Sequence, residues 1–385
     1  MIPYGRQWIY EDDINEVIKV LKSDFLTQGP KVWEFEKAIC DYTGAKYCVA
    51  VSSGTAALHL AVASLGIDKG TEGITSPNTF VASANCLIYN GLIPVFADID
   101  DRTYNIDIKE IKKKINKNTK VIIPVDFAGQ PADMKEIYEL ARTNNLFVIE
   151  DASHAIGSRY EDGNFVGSCK YSDITVFSFH PVKTITTGEG GAITTNSNEL
   201  YEKLQLLRTH GIIKEEKYLR ENPGPWYYEM QELGFNYRLT DIQATLGKSQ
   251  LNKLNFFVER RRDIVRKYNE AFKNIDFLTT PYEKEGVYSA FHLYVLQIDL
   301  KKIGKTRKKV MKELMSKNIV TQVHYIPVHT HPYYQKNFGY KWGDYPVTES
   351  YYKKALSIPL YPKMTDEDNN YVIGGVLEEI YSSSY

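Results

Sequence analysis

Cysteine is scarce in this chain: Cys40, Cys48, Cys86 and Cys169 are the four among 385 residues, with no CxxC pair. Such spacing fits unpaired core thiols in a reducing cytoplasm rather than a disulfide framework. Long apolar runs are lacking as well, since no segment approaches the roughly eighteen consecutive apolar residues of a membrane helix. The start, Met1-Ile2-Pro3-Tyr4-Gly5-Arg6, turns acidic at Glu11-Asp12-Asp13 without an apolar stretch. No signal peptide and no membrane contact are therefore expected. Net charge is nearly absent: the formal value is −1, with lysines and acids interspersed. That removes the electrostatic footprint of a nucleic-acid binder and leaves a small polar substrate. Internal repeats, low-complexity tracts and disordered linkers are missing too.

What is present is a long chain with 43% hydrophobic residues, enough for a large core and, by length, roughly two or three domains. Its first two-thirds alternates strand-like and helix-like stretches, the pattern of an α/β domain with a largely parallel sheet. Expected strands run over 47–52, 73–76, 95–99, 121–125, 147–150, 174–178 and 192–195. Between them the period becomes helical: within 133–141, Met134, Ile137, Tyr138 and Ala141 share one face. Near Asn236 the sheet pattern stops, and one long helical stretch from about Thr240 to Phe272 leads into a smaller C-terminal unit. The expected division is residues 1–240, an α/β domain that includes the N-terminal segment, and residues 241–385, the linking helix and a small domain.

Lys183 lies in Ser178-Phe179-His180-Pro181-Val182-Lys183-Thr184-Ile185-Thr186-Thr187-Gly188-Glu189-Gly190-Gly191, just after the β-branched and aromatic run Ile174-Thr175-Val176-Phe177. A strand-end lysine beside a glycine-rich turn can form a Schiff base with an aldehyde cofactor. Three features converge on a phosphorylated aromatic aldehyde. In Val51-Ser52-Ser53-Gly54-Thr55-Ala56-Ala57-Leu58 a strand ends and a helix begins. Ser53, Gly54 and Thr55 can hold a phosphate at that helix start, with an ordinary helix cap as the competing reading. In Phe147-Val148-Ile149-Glu150-Asp151-Ala152-Ser153-His154-Ala155, Asp151 stands at a strand's C-terminal edge, where ligands of open α/β sheets bind. A buried carboxylate there calls for a cation such as a protonated pyridine nitrogen. His154 either contacts the same cofactor or is a satisfied core histidine. In the lysine segment, Ser178 offers a phosphate hydrogen bond while Gly188, Gly190 and Gly191 admit close backbone approach. Phe80, in Pro77-Asn78-Thr79-Phe80-Val81-Ala82, either covers an aromatic ring or packs a helix into the core.

These motifs, in this order, resemble the sugar-nucleotide aminotransferases of the DegT/DnrJ/EryC1/StrS family. The resemblance runs over almost the whole chain. Besides the lysine segment it is carried by Leu26-Thr27-Gln28-Gly29, Ser52-Ser53-Gly54-Thr55-Ala56-Ala57-Leu58, Glu150-Asp151-Ala152-Ser153-His154-Ala155-Ile156-Gly157 and Leu233-Gly234-Phe235-Asn236-Tyr237-Arg238-Leu239-Thr240-Asp241. It implies the aspartate aminotransferase type I fold, an α/β large domain with a mostly parallel seven-stranded sheet plus a smaller C-terminal α+β domain. It also implies pyridoxal 5'-phosphate on Lys183, Asp151 on the pyridine nitrogen, and phosphate contacts from Ser178 and the Gly54-Thr55 turn. Asn236 is implied to reach the phosphate of a neighbouring subunit, so that a homodimer shares its active sites. Tyr4, the Asp24-Phe25-Leu26-Thr27 loop, His324 and Tyr325 are implied to face the sugar nucleotide. Arg238 is a candidate for its diphosphate, with a surface arginine as the competing reading. Burial and a nearby pyridinium are expected to lower the Lys183 pKa, so that the amine works as a base near neutral pH.

Within the family, Phe179-His180-Pro181-Val182-Lys183, Val125-Asp126-Phe127-Ala128-Gly129 and Thr321-Gln322-Val323-His324-Tyr325-Ile326-Pro327 look most like the pseudaminic acid pathway members. That implies amination of a UDP-linked 4-keto sugar by L-glutamate, giving UDP-4-amino-4,6-dideoxy-N-acetyl-β-L-altrosamine. The chain departs from the family pattern at Thr184, where proline commonly follows the lysine, and at Gly54, where a non-glycine small residue is frequent. It also carries an aromatic insertion, Trp226-Tyr227-Tyr228. Competing readings are an aminotransferase for another keto sugar nucleotide, of perosamine or bacillosamine type, a pyridoxamine-dependent sugar dehydratase, and a non-catalytic cofactor binder. Dehydratase relatives replace the lysine with histidine, so Lys183 argues against the second. His324, His329 and His331 crowd near Tyr325, but no carboxylate or cysteine accompanies them at ligand spacing, and no metal is expected. Tyr351, Tyr352 and Tyr361, among 29 tyrosines, read as packing and interface residues.

Overall fold

The computed structural model describes residues 1–381. Seven strands build the central sheet: β1 (Tyr47–Val51), β2 (Glu72–Thr75), β3 (Ile93–Phe96), β4 (Thr119–Ile123), β5 (Phe147–Asp151), β6 (Ile174–Ser178) and β7 (Gly191–Thr195). Their order is β1-β7-β6-β5-β4-β2-β3. β7 pairs antiparallel with β1 and β6 while the other neighbours pair parallel, so β7 alone runs against the rest. All seven expected strands are present. β3 starts earlier than the sequence pattern indicates because its Ile93 is drawn into pairing with Glu72 of β2.

The strands are apolar on both sides because helices cover both faces. On one face, helix Gly54–Ser64 packs Ala57, Leu60 and Ala61 with Val49, Val176 and Ile193. On the other, Phe35, Ile39, Leu254 and Phe257 meet Ala50, Val148 and Phe177. Adjacent strand residues such as Val49 and Ala50 therefore serve opposite cores, as the pleat requires. In helix Met134–Thr143 the expected face is buried at Met134, Ile137 and Ala141, with Tyr138 at its margin.

The single long helix expected from Thr240 to Phe272 is two, Asp241–Leu251 and Leu254–Phe272. The break falls at Asn252 and Lys253, and the Lys253 ammonium bonds the Asp12 carboxylate (2.6 Å), the buried Asp13 carboxylate (2.9 Å) and the Ser249 carbonyl (3.3 Å). The second helix leads into another core. There a short antiparallel sheet, Leu278–Thr279, Tyr294–Ile298 and Ala355–Ile358, packs with Tyr268, Phe272, Val310, Leu314 and Val372. Ile2 joins this core, its N–H donating to the Asn318 carbonyl. The Leu360 N–H, donating to the Tyr4 carbonyl at 3.0 Å, then holds Tyr4 at the junction with the large sheet.

Candidate active site

Because β1, β4, β5 and β6 run the same way, their C-terminal ends share one edge, and a cavity of ≈ 430 Å³ opens there. Ser53 caps helix Gly54–Ser64: its Oγ accepts the Ala56 N–H at 3.0 Å. The cap reading is realised, and it leaves the Gly54 and Thr55 N–H groups without a partner among the described residues. Gly54 is required, since a Cβ would stand 2.8 Å from the Ser178 Cβ and 3.0 Å from its Oγ. Gly191 is required too, because a Cβ would stand 2.6 Å from the Ser53 carbonyl oxygen. Two free N–H groups, the Ser178 side chain and a helix's positive end thus share one wall of the cavity, which suits a phosphate.

Lys183 lies in the turn after β6. The Phe179 carbonyl accepts from the Thr187 N–H (3.1 Å) and Thr186 Oγ1 (3.0 Å), and the Lys183 N–H donates to the His180 carbonyl (2.8 Å). The Lys183 ammonium makes no ion pair among the described residues and is surrounded by protein, yet the residue keeps some exposure to the cavity. Burial, opposed only by the Asp151 charge, lowers its pKa from 10.5 to about 8. Asp151, at the end of β5, is buried, and both its oxygens accept hydrogen bonds while Oδ2 keeps a free lone pair. Its Oδ2 accepts from Ser83 Oγ (2.6 Å), and its Oδ1 accepts from the Ser153 hydroxyl (2.6 Å) and N–H (3.1 Å). Ser83 is itself bonded to Thr79 at 2.7 Å. Phe80 is not core: 57% exposed, it stands over the cavity mouth with its ring 6.3 Å from that of Tyr325.

The opposite wall comes from the second core and the chain start. Tyr4 and His324 face each other, rings 5.4 Å apart. His324 Nδ1 bonds Ser357 Oγ at 2.8 Å, and burial beside Lys183 lowers its pKa to about 3. The Tyr325 hydroxyl lies 3.0 Å from Nε2 of the buried His154, whose Nδ1 accepts the Ala128 N–H at 3.3 Å. His292 lies beside them, its ring 4.4 Å from that of His154.

Other candidates lie outside the cavity. Phe25, Leu26 and Thr27 are exposed, in a loop tied down where the Asp241 N–H donates to the Leu26 carbonyl (3.0 Å) and the Gly29 N–H donates to the Asp241 carboxylate (2.7 Å). Asn236 is exposed on the segment that pairs with the end of β1. Arg238 lines a second, smaller cleft with Gln28, Trp33 and Arg208. Among the described residues no arginine lines the Lys183 cavity. His329 is buried against Glu349 at 3.1 Å, a carboxylate brought from twenty residues on. Among the described residues no three His, Cys, Asp or Glu side chains gather as a metal site.

The sequence pattern of the DegT/DnrJ/EryC1/StrS aminotransferase family matches residues 7–377. The chain belongs to that family. It is 45% identical to the spore coat polysaccharide biosynthesis protein SpsC of Bacillus subtilis, over 97% of this chain and 96% of the relative. It is 39% identical, over 99% and 98%, to the UDP-4-amino-4,6-dideoxy-N-acetyl-beta-L-altrosamine transaminase of Campylobacter jejuni. The solved structure of Helicobacter pylori PseC, an aminotransferase involved in the biosynthesis of pseudoaminic acid, matches with a TM-score of 0.91 at 33% identity, covering 99% of both chains. The chain is thus a sugar aminotransferase with the aminotransferase fold.

In this DegT/DnrJ/EryC1/StrS member, the sequence reading leaves several residues of the cavity without a role, Ser83, Ser153 and His292 among them. Ser83 holds an Asp151 oxygen, and its position three residues after Phe80 was a usable signal. His292 gave none, since a single histidine before a strand carries no spacing.

Proposed function

We propose that this aminotransferase uses pyridoxal 5'-phosphate to move an amino group from L-glutamate to a UDP-linked 4-keto-6-deoxy sugar, giving UDP-4-amino-4,6-dideoxy-N-acetyl-β-L-altrosamine for pseudaminic acid biosynthesis. The observation that carries this is a buried, unpaired Lys183 amine in the same cavity as the buried Asp151 carboxylate and the free N–H groups of Gly54 and Thr55. These residues fit the cofactor. Ser53, Gly54, Thr55 and Ser178 would hold its phosphate, Asp151 its pyridine nitrogen, and Phe80 its ring face. The bound group supplies an electron sink and carries the amino group between the two substrates. Lys183 Nζ, with its pKa near 8, takes a proton from the donor's reacting carbon and returns one to the acceptor's. Buried and largely shielded from water, that amine exchanges protons with the substrate rather than the solvent.

Among the described residues the cavity has no guanidinium for a sugar diphosphate. Asn236, Arg238 and the Phe25-Leu26-Thr27 loop, all outside their own cavity, would supply the cavity of a second copy, making the working unit a homodimer. The reading also takes residues 1–240 and 241–385 as the two domains and the cytoplasm as the site of action, in keeping with four free thiols. The test is half-reaction absorbance on purified protein: L-glutamate should convert the loaded enzyme to its amine-bearing form, and the UDP-linked 4-keto sugar should convert it back. Recovery with a different keto sugar nucleotide would change the substrate only. No response to L-glutamate would overturn the reading.

A further inference from the structure

Both ring nitrogens of His154 are engaged. Nδ1 accepts the backbone N–H of Ala128, and a backbone amide can only donate, so Nδ1 is bare. Ala128 holds φ at 57°, a backbone region few non-glycine residues adopt, and in that conformation its N–H meets the imidazole. The ring is buried near Lys183 and His324, which keeps it neutral. A neutral imidazole with a bare Nδ1 carries its proton on Nε2. Nε2 therefore donates to the Tyr325 oxygen 3.0 Å away, and the phenol's own proton is left for another acceptor. The described residues offer that proton no other partner, and Tyr325 lines the Lys183 cavity beside Phe80.

We propose that Tyr325 is a hydrogen-bond donor aimed at a carbonyl or phenolate oxygen bound beside Lys183, and that His154 is the positioning residue that fixes this direction. The proposal rests on the aminotransferase reading given above. Two ligand oxygens share the required chemistry: the keto oxygen of the amine-accepting sugar and the phenolic oxygen of the pyridoxal ring. Burial keeps the phenol protonated well above neutral pH, so it is a donor throughout the working range. One fixed donor to an oxygen that gains negative charge is worth on the order of a hundredfold in rate.

The experiment joins two measurements on the loaded, full-length enzyme. Ring-15N histidine NMR, with His154→Gln identifying the His154 signals, is expected to show the Nε2–H tautomer across neutral pH. An Nδ1–H or doubly protonated ring overturns the proposal. Stopped-flow absorbance then compares Tyr325→Phe, His154→Ala and His154→Gln. If the sugar keto oxygen is the acceptor, Tyr325→Phe slows the half-reaction with the UDP-linked 4-keto sugar about a hundredfold and spares the L-glutamate half. If the cofactor oxygen is the acceptor, Tyr325→Phe displaces the visible absorbance and slows both halves alike. His154→Ala should reproduce either effect in part. His154→Gln, whose amide can still donate to the phenol, should restore activity toward the wild-type rate. Unchanged absorbance and rates in Tyr325→Phe overturn the proposal. A wild-type enzyme that ignores L-glutamate would instead break the aminotransferase reading, and the tautomer measurement would still decide the direction of the His154–Tyr325 bond.

Discussion

The two walls of the cavity differ in charge. The sheet wall holds Lys183 and Asp151, set by the turns after β6 and β5. The second wall, built by Tyr4, His292, His324 and Tyr325, carries neither carboxylate nor lysine, and burial together with Lys183 lowers the pKa of both its histidines. Under the proposed function, the charged wall does the proton and electron work common to both substrates, and the neutral wall supplies directional hydrogen bonds to the ligand. Changes in the first should therefore damage both half-reactions, whereas changes in the second should separate them.

Lys183→Ala is the largest break. It should abolish turnover in both halves and the absorbance of the loaded enzyme while far-ultraviolet circular dichroism stays native; measurable transamination would remove Lys183 from its role. The wild-type amine gives a sharper version of the same test. Capture of added pyridoxal phosphate by the unloaded protein needs neutral amine, so its rate should rise with pH through a midpoint of about 8, and a midpoint near 10.5 would show an unburied lysine. Asp151→Ala comes next. It takes one acceptor from each of the Ser83 and Ser153 hydroxyls and removes the pyridine partner, and should slow both half-reactions on the order of 10²–10³-fold. A defect confined to one half would contradict the division between walls.

That division also follows what the sequence made legible. The sheet wall was readable because its residues sit within short segments whose strand-to-helix or strand-to-turn change is local: Ser53 to Thr55 after β1, Asp151 at the end of β5, Lys183 after β6. Exposure, which no local pattern shows, takes Phe80 out of the core. Ser53 has two readings: its hydroxyl caps the helix, and the next two N–H groups stay free for the phosphate of the proposed function. The second wall depends on contacts between residues far apart in the chain. Tyr325 meets His154 across 171 positions, and His292 enters from the start of another sheet. The Lys253–Asp13 pair beside the helix break joins residues 240 positions apart, which no local pattern shows. Arg238 and Asn236 carried family resemblance, but no local pattern told which cleft they would line.

His292→Asn tests the neutral wall through stability. Its folded-state pKa lies well below 6.5, so below that pH the unfolded chain binds a proton that the folded one refuses. The stability linked to this neutral ring is therefore full above about pH 6.5 and falls as pH drops further, by up to about 1.4 kcal/mol per pH unit. Urea unfolding of wild type and His292→Asn at a series of mildly acidic pH values should show the smaller slope in the variant. Equal slopes would mean that His292 titrates as it does in water.

Gly54→Ala is the mildest change and tests the geometry of the charged wall alone. The added Cβ would fall 2.8 Å from the Ser178 Cβ and 3.0 Å from its Oγ, too close to stay, so Ser178 must yield. The helix itself does not suffer, because alanine is the better helix former by about 1 kcal/mol. What is lost is the cradle between the Gly54 N–H and the Ser178 hydroxyl. The expected result is pyridoxal phosphate affinity lower by about tenfold, equivalent to about 1.4 kcal/mol, with far-ultraviolet circular dichroism native and the preference among keto sugar nucleotides intact. An unchanged affinity would move the phosphate away from Gly54 and Ser178. A changed sugar preference would mean that the two walls are coupled through the cofactor's position.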